Sequence, residues 1–316
     1  MEVENRAEKQ NMTVDCEVTL VRNDKTGQNE KISSISGGTG CGIKDCGGNG
    51  VQNSIRDNLS NQHREILREH RLELVVNEQL LARLVCTPDD LENLAVGRLI
   101  TEGIIADTEE IEQLYLCESG NRARIFLKKD IRLEAVRMEE PTCCTDNRVF
   151  LQAVKMTSVG GAQESTGQVK MLQERPDGEE AAQEQTAVWK KEWIFSIVKV
   201  FSEDSKLHRS TGGTHSCLLA MEDRVLYVAE DLGRHNAMDK AIGYAAMQGL
   251  DRDKCILFTT GRVPTDMVRK AVVARIPVLV SKAVPTAEAV EMARESGLTL
   301  ICRAWPDSFE IYAGEV

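Results

Sequence analysis

The first half of the chain alternates hydrophobic and polar residues in short runs. Residues 12–22, 71–80, 111–118 and 122–128 each show the alternation of a half-buried strand. Between the second and third of these runs the period becomes helical, with one apolar stripe at Leu91, Leu94, Ala95, Leu99 and Ile100. The pattern predicts a small α+β unit.

The start of this helix has a recognisable sequence signal. Thr87 can cap the first turn, Pro88 fits the first helical position, and Asp89 and Asp90 favour the positive end of a helix. We therefore expect the helix to begin at Thr87 and to end near Gly103.

From Trp193 onward, helical and strand-like runs alternate. The period predicts helices over 194–201, 236–248, 264–274 and 285–295. Apolar runs between them predict strands over 217–221, 225–230, 254–261, 276–283 and 297–304. Such alternation is typical of an α/β domain with a largely parallel sheet that helices cover on both faces.

Two segments interrupt this order. Residues 33–50 are rich in Gly and Ser, which predicts a mobile loop within an insertion near 26–60. Residues 158–188 have few large apolar side chains, which predicts a flexible insertion. A solvated helix over 179–192 is the alternative for the second segment. We expect three regions: a small α+β domain over 1–140, a mobile cysteine loop with the insertion over 141–190, and an α/β domain over 191–316.

Composition narrows the classes of function. Aromatic residues are only 4% of the chain, so the core must be built from Leu, Ile, Val and Ala. The net charge of −11 opposes binding to the phosphate backbone of nucleic acids. No apolar run approaches the roughly 20 residues that span a membrane, and the polar first residues do not resemble a secretory signal. The cytoplasm is the expected location.

In that compartment the ten cysteines are expected to be thiols. Cys41 and Cys46 lie in the Gly-rich segment with four residues between them, which is a poor spacing for zinc. Five cysteines have apolar neighbours and are expected in the core: Cys86, Cys117, Cys217, Cys255 and Cys302.

Polar residues cluster in three loops beside the predicted strands of the α/β domain. In open α/β sheets, ligands bind at the carboxyl ends of strands, where glycines and helix N-termini favour anions. The density of polar residues favours a pocket for a phosphate-bearing ligand; an ion-pair network of Glu230, Asp231, Arg234 and Asp239 that fixes a loop is the alternative. The candidate ligand-binding residues are Gly213, His215, Arg234, His235 and Arg262.

A pair of adjacent cysteines, Cys143 and Cys144, is the second candidate for chemistry. Its polar neighbours predict an exposed loop, and Arg148 could lower a thiol pKa, although the preceding acidic residues oppose this. A persulfide carrier needs only one exposed thiolate. The thiolate attacks a sulfur atom of the donor, and the sulfur that it then carries is attacked by the acceptor.

Several long motifs resemble the FdhD/NarQ family of formate dehydrogenase accessory sulfurtransferases. They are LVVNEQ and TPDDLENLAVGRLITEGII in the first half, then TGGTHSCLLA, EDLGRHNAMDKAIGYA and TTGRVPTDMVRKAVVARIPVLVSKAVPTAEAVEMARESGLTL. The resemblance covers about residues 72–118 and 210–312. It implies a cytidine deaminase-like three-layer α/β/α sandwich and a homodimer.

The resemblance also implies a function. The protein would accept sulfur from a cysteine desulfurase as a cysteine persulfide. It would then pass that sulfur to the molybdenum bis(molybdopterin guanine dinucleotide) cofactor, bound as a substrate, before insertion into the formate dehydrogenase apoenzyme. His215 or His235 could move a proton, or brace a loop.

Residue roles follow from the same resemblance. The cysteine loop of the family, C-G-x-C-G, matches Cys144 best, and its second cysteine falls at Asn147, so Cys144 is the first candidate carrier and Cys143 the second. The segment that lines the guanine-nucleotide site in the family falls at Arg303, Ala304, Trp305, Pro306, Asp307 and Ser308.

Two other classes of function remain open. A deaminase-like fold suggests zinc hydrolysis, but that chemistry needs H-x-E and P-C-x-x-C, whereas this chain has His215-Ser216-Cys217 and no C-x-x-C. We therefore expect no tightly bound metal that the protein ligates. A non-catalytic chaperone for the molybdenum cofactor is the remaining alternative, and it would tolerate loss of both Cys143 and Cys144.

Overall fold

The structure is a computed structural model, and it describes residues 13–21, 59–131, 189–204 and 206–314. These residues fall into two compact units, one within Thr13–Ile66 and the other from Leu67 onward. In the first unit, β1 (Thr13–Val21) pairs with β2 (Leu59–Leu67), which confirms the predicted strand at 12–22. The expected segments around 26–60 and 158–188, and the proposed boundary at residue 140, lie largely outside the described residues.

The second unit begins with a four-stranded sheet and one helix. The sheet has the order β4-β3-β6-β5, and one of its faces packs against α1. The buried residues Leu72, Leu74 and Val76 alternate along β3 as the sequence predicts. The elements are β3 (His70–Val76), β4 (Gln79–Cys86), α1 (Leu91–Thr101), β5 (Ile111–Leu116) and β6 (Arg122–Leu127).

A six-stranded sheet follows, in the order β12-β11-β10-β9-β7-β8. Only β9, β10 and β11 pair in parallel; β7 runs antiparallel to both β8 and β9, and β12 runs antiparallel to β11. The prediction of a largely parallel sheet is therefore wrong, because a hairpin at one edge and a returning strand at the other make the sheet mixed. The strands are β7 (His215–Met221), β8 (Arg224–Asp231), β9 (Cys255–Thr259), β10 (Val278–Ser281), β11 (Thr299–Cys302) and β12 (Glu310–Ala313).

Helices cover both faces of this sheet. On one face α2 buries Ile194, Ile197 and Phe201 against alternate strand residues such as Phe258. The other face packs against α4 to α6. The mixed α/β class with three layers is thus confirmed. The helices are α2 (Lys191–Asp204), α3 (Lys206–Thr211), α4 (Arg234–Met247), α5 (Thr265–Val273) and α6 (Ala287–Glu295).

The contact between α1 and α4 depends on two glycines. A Cβ atom at Gly97 would lie 1.8 Å from the carbonyl oxygen of Asp239, and one at Gly243 would lie 1.9 Å from that of Asn93. Because real Cβ atoms do not approach oxygen this closely, the two helices cross with their backbones in contact.

Buried ion pairs lie next to this crossing. Lys270 of α5 places its Nζ 2.7 Å from both carboxylate oxygens of Asp239, and it also donates to Thr101 at 3.1 Å. Arg98 approaches the same carboxylate at 3.7 Å and pairs with Glu102 at 2.7 Å. Burial lowers the pKa of Lys270, and the positive charge of Arg98 acts in the same direction, against the opposing effect of Asp239. The pairs therefore connect α1, α4 and α5.

Two sequence-based expectations are wrong in this unit. The helix α1 begins at Leu91 after Asp90, and Thr87 does not cap it, because the N–H and hydroxyl of Thr87 both donate to Asp231 at 3.0 Å. Cys117 is exposed at the turn after β5, whereas Cys86, Cys217, Cys255 and Cys302 are buried as expected.

We predict that Gly97→Ala lowers the free energy of unfolding by about 3 kcal/mol, because the added methyl group must push α1 away from α4. Urea denaturation measures the change. The exposed Glu92 on the same helix provides the control, and Glu92→Ala is expected to change stability by less than about 0.5 kcal/mol. Equal effects of the two substitutions would contradict the close crossing.

Candidate functional site

The loops named by the sequence meet at one edge of the six-stranded sheet. His215 at the start of β7 pairs with Asp231 at the end of β8, and Cys217 pairs with Thr259 at the end of β9. The parallel strands β10 and β11 end on the same side, at Ser281 and Cys302. Five loops therefore lie along this strand-end edge: 212–215, 231–236, 259–262, 281–286 and 302–309.

Asp231 organises the 231–236 loop from a fully buried position. One carboxylate oxygen accepts from the backbone N–H of Gly233 at 3.0 Å and from Asn236 at 2.8 Å. The other accepts both donors of Thr87, which follows β4. Asp231 thus connects the end of β8, the start of α4 and the four-stranded sheet.

Lys240 balances the charge of Asp231. Its Nζ lies 2.9 Å from Asp231 and 2.8 Å from Asp89, and it donates to the hydroxyl of Thr87 at 2.7 Å. Burial alone would favour the neutral amine, but the two carboxylates raise the pKa of Lys240 above its ordinary value. The sequence left open an ion-pair network as the alternative to a ligand pocket. Asp231 and Asp239 do form buried ion pairs, with Lys240 and Lys270 respectively.

Arg234 occupies the first position of α4 and is 9% exposed. Its side chain packs on Gly261, where a Cβ atom would lie 2.8 Å from the Cδ atom of Arg234. The buried Nε has no hydrogen-bond partner, and no carboxylate of the described residues forms an ion pair with the guanidinium. A positive group beside a helix N-terminus, with an unused donor, is suited to an anionic ligand.

His235 is 2% exposed and lies against Asp266, with 2.6 Å between its Nε2 and the carboxylate Oδ2. The other oxygen, Oδ1, accepts from the N–H of Met267 at 2.9 Å. Burial raises the pKa of Asp266, but the hydrogen bond and charge of His235, with Arg234 and Lys270 nearby, offset this and lower the pKa below its ordinary value. His235 therefore connects α4 to the start of α5.

The other end of the edge is more exposed and carries further positive charge. Arg262 and Arg303 are exposed, and Lys282 lies over the ring of Trp305 at 4.8 Å from its centroid. Trp305 itself is 46% exposed. Its flat ring and the adjacent ammonium group can contact a heterocycle and an anion together.

The 303–308 loop has a defined backbone. The N–H of Ala304 donates to Ser281 at 3.0 Å, and the N–H of Trp305 donates to Ser308 at 2.7 Å. The side chain of Ala304 is buried in the core, whereas Pro306, Asp307 and Ser308 are exposed. Five of the six side chains expected to line a nucleotide site are therefore accessible.

At the opposite end, Gly213 and His215 flank Thr214 beside Glu230. Glu230 accepts from the hydroxyl of Thr214 at 3.3 Å and from the N–H of Leu207 at 3.0 Å. Gly213 is exposed and His215 is partly buried at the start of β7. The edge thus has the carboxylate of Glu230 beside Gly213 at one end and basic side chains towards Arg303 at the other.

The structure adds residues that the sequence did not identify: Lys240, Gly261, Asp266, Ser281 and Lys282. Ser281, for example, donates to the carbonyl of Gly261 at 2.7 Å and so connects two loops. Only the position of these residues after strands or at helix starts could have indicated them, since their partners are distant in sequence.

Three further observations concern the described residues alone. The candidate sulfur carriers, Cys143 and Cys144, lie outside them. In the part of the chain that is described, no three His, Cys, Asp or Glu side chains are grouped so that they could hold a metal ion. No helix found there is long and apolar enough to cross a membrane.

We predict that Asp266→Asn lowers stability at pH 7 by about 2 kcal/mol, as expected for a hydrogen bond to a charged carboxylate. Because the pKa of folded Asp266 lies below its ordinary value of 3.8, its contribution is complete above that pH and is lost as the pH falls through the lowered pKa. Urea denaturation from pH 7 to pH 3 measures the difference between variant and wild type. A difference that grows towards pH 3 would contradict this assignment.

Comparisons with known proteins agree on one family. A family model described as the FdhD/NarQ family matches residues 67–316. The sulfur carrier protein FdhD of Bacillus licheniformis is 30% identical over 258 residues, which cover 80% of this chain and 90% of that protein. The FdhD of Wolinella succinogenes is 29% identical over 254 residues, which cover 80% of this chain and 82% of that protein.

The fold has a solved counterpart. The crystal structure of a protein described as a formate dehydrogenase accessory protein, from Desulfotalea psychrophila, superposes with a TM-score of 0.62. The alignment covers 96% of this chain and 97% of that one at 18% sequence identity, so it supports the fold. Together with the family match, which includes every loop of the strand-end edge, these results show that this chain belongs to the FdhD/NarQ family.

Proposed function

We propose that this protein is a sulfur carrier required for formate dehydrogenase activity. The curated relatives that match about 80% of the chain are named as sulfur carriers, and the solved counterpart is described as a formate dehydrogenase accessory protein. In this proposal a cysteine desulfurase supplies the sulfur, the molybdenum bis(molybdopterin guanine dinucleotide) cofactor receives it, and the formate dehydrogenase apoenzyme receives the cofactor. The protein acts as a homodimer in the cytoplasm.

The charge of the strand-end edge is the observation that supports cofactor binding. The chain as a whole carries −11, yet this edge presents Arg234, Arg262, Lys282 and Arg303 along the ends of four strands. Because β7 lies between β8 and β9, the edge from β8 to β11 spans five strands about 4.8 Å apart, a length on the order of 20 Å. This length suits an elongated ligand with several phosphates. Arg234 would bind a phosphate, and Trp305 would contact a guanine base.

Sulfur transfer would begin with a thiolate of the cysteine pair. Cys144, or Cys143 in its place, attacks the outer sulfur of the desulfurase persulfide; a new S–S bond forms, and the desulfurase thiolate leaves. The carrier then holds the sulfur as its own persulfide. No metal is required for this step.

The path of the chain is compatible with delivery to the edge. The described residues resume at Trp189, whose ring lies 6.4 Å from that of Phe309 in an edge-on contact. Phe309 directly follows the 303–308 loop. The described chain therefore resumes beside the proposed guanine site.

We predict that incubation with a cysteine desulfurase and cysteine adds about 32 Da, one sulfur atom, to the 137–148 peptide. Mass spectrometry of the digested protein detects the adduct. Cys144→Ala should abolish most of it, whereas Cys41→Ala, in the Gly-rich segment, should leave it unchanged.

An unmodified 137–148 peptide in the wild-type protein would exclude the carrier role. If Cys143→Ala and Cys144→Ala together leave formate dehydrogenase activity intact, the protein is a cofactor chaperone. Near-stoichiometric zinc in the purified protein would instead favour a deaminase-like hydrolase.

Cofactor binding has a separate test with guanosine diphosphate as the probe. Arg234→Gln should weaken binding about 10- to 100-fold, since a hydrogen bond from a charged group contributes about 1.5–3 kcal/mol. Arg275→Gln serves as the control, because Arg275 lies near the start of β10, at the opposite end of the sheet. Titration calorimetry measures both, and equal affinities of the two variants would rule out Arg234 as a phosphate ligand.

A further inference from the structure

The four-stranded sheet has a second face that does not pack against α1. Along β3 and β6, the residues that alternate with the buried positions point outward; they include Arg71, Glu73, Arg122 and Arg124, together with the apolar Val75 and Phe126. Arg83 of β4 pairs with Glu73 across the strands and shares this face. We call it the arginine face; it is formed by Arg71, Glu73, Arg83, Tyr115, Arg122, Arg124 and Phe126.

The charge of the arginine face is opposite to that of the chain. Four arginines lie on it, whereas the full sequence has 50 acidic and 39 basic residues. Glu73 contacts Arg122 at 2.6 Å and Arg83 at 3.1 Å, and these hydrogen bonds, that of Arg122 first, hold the pKa of Glu73 below its ordinary value. One carboxylate is thus shared by two guanidinium groups, and Arg124 pairs with Glu78 at 3.1 Å. Four arginines against these two carboxylates leave the face with a net positive charge.

The side chains of the arginine face remain accessible. The exposed fractions of the Arg83, Arg122 and Arg124 side chains are 73%, 53% and 51%. Tyr115 is 53% exposed, and its ring meets that of Phe126 edge-on at 6.2 Å. Arginine and tyrosine are the residue types that contribute most to protein–protein binding, and lysine, which is depleted at such sites, is absent from the face as defined.

An open cleft lies within this surface. Its volume is about 440 Å³, and Arg71 and Arg122 contribute to its lining. Cys117, Ser119 and Asn121 from the turn after β5 complete it, together with Glu73. The cleft has room for a carboxylate side chain between the two arginines, which can bind it bidentately.

The size of the arginine face indicates a transient contact. Four strands about 4.8 Å apart and about six residues long at 3.3 Å each span on the order of 400 Å². This is about half of the roughly 800 Å² that each partner buries in a standard complex. A charged patch of this size accelerates association with an oppositely charged protein and permits its rapid dissociation. Both properties suit a partner that must bind and leave once in every round of sulfur transfer.

We infer that the arginine face docks a carboxylate-rich surface of the protein that supplies the sulfur. The inference rests on the proposed function, in which a donor and a recipient must both be met. The formate dehydrogenase apoenzyme, which receives the cofactor, is expected to bind at the strand-end edge of the six-stranded sheet. The arginine face lies on the other sheet and is therefore assigned to the desulfurase, which donates the sulfur. An extended polyanion such as a nucleic acid is disfavoured by the charge of −11.

The test measures the affinity of a purified cysteine desulfurase for the full chain. The charge reversals Arg83→Glu, Arg122→Glu and Arg124→Glu, combined in one protein, should weaken binding at least 10-fold. Arg224→Glu is the matched control, because Arg224 is an exposed strand arginine on the other sheet, and it should change the affinity less than twofold. Binding to the wild type should weaken from 50 to 300 mM salt.

Circular dichroism and the melting temperature check that each variant folds. If the triple variant does not fold, the single variant Arg83→Glu takes its place. Unchanged affinity of the charge-reversed protein overturns the inference, as does absence of desulfurase binding to the wild type. Hydrogen-exchange protection of β3 and β6 by apo formate dehydrogenase, by a second copy of this chain or by RNA, and not by the desulfurase, also overturns it.

The outcome is separable from that of the proposed function. If the 137–148 peptide gains sulfur at the same rate in the charge-reversed and wild-type proteins, only the docking inference fails. If the desulfurase binds the arginine face but no peptide gains sulfur, the docking surface stands and the carrier role fails.

Discussion

The contact of α1 with α4, backbone against backbone at Gly97 and Gly243, is the constraint on which the rest of this structure depends. It joins the four-stranded sheet, which packs on α1, to the six-stranded sheet, which packs on α4. Any side chain at either glycine would separate the helices, and interiors at native packing density cannot absorb such a shift. The two sheets therefore pack in one unit because both crossing positions are glycines, which carry no side chain.

The close crossing also makes the buried ion pairs possible. Lys240 on α4 reaches Asp89 before α1 and Asp231 at the end of β8, and Lys270 on α5 reaches Asp239 beside Thr101 of α1. Removing one partner would leave an uncompensated buried charge, which costs about 3–5 kcal/mol. Because these pairs fix the start of α4, they determine where Arg234 and His235 lie at the strand-end edge.

Charge is unevenly distributed over this acidic protein. The strand-end edge and the arginine face are both positive, although the chain carries −11. Long-range repulsion of polyanions and local attraction of a single anionic group can then coexist, since salt screens interactions beyond about 8–10 Å. The same charge pattern would admit a phosphate-bearing ligand at one surface and a carboxylate-rich protein at the other.

The sequence by itself determined most of the elements, because a strand or helix requires a period that neighbouring residues set. It did not predict β2, the short helix α3 or the returning strand β12. It also indicated the loops that carry Arg234, His235 and Arg262, because polar residues after apolar strands stand out. It was wrong where a distant partner intervened: Thr87 binds Asp231 and does not cap α1, and Cys117 lies exposed at a turn.

Only the tertiary structure decided the pairing of β7 with both β8 and β9, the glycine crossing, the shared carboxylates and the position of Gly261 under Arg234. These features arise between residues that are far apart in the chain. Short-range periodicity carries no information about such partners, so their contacts follow from packing alone.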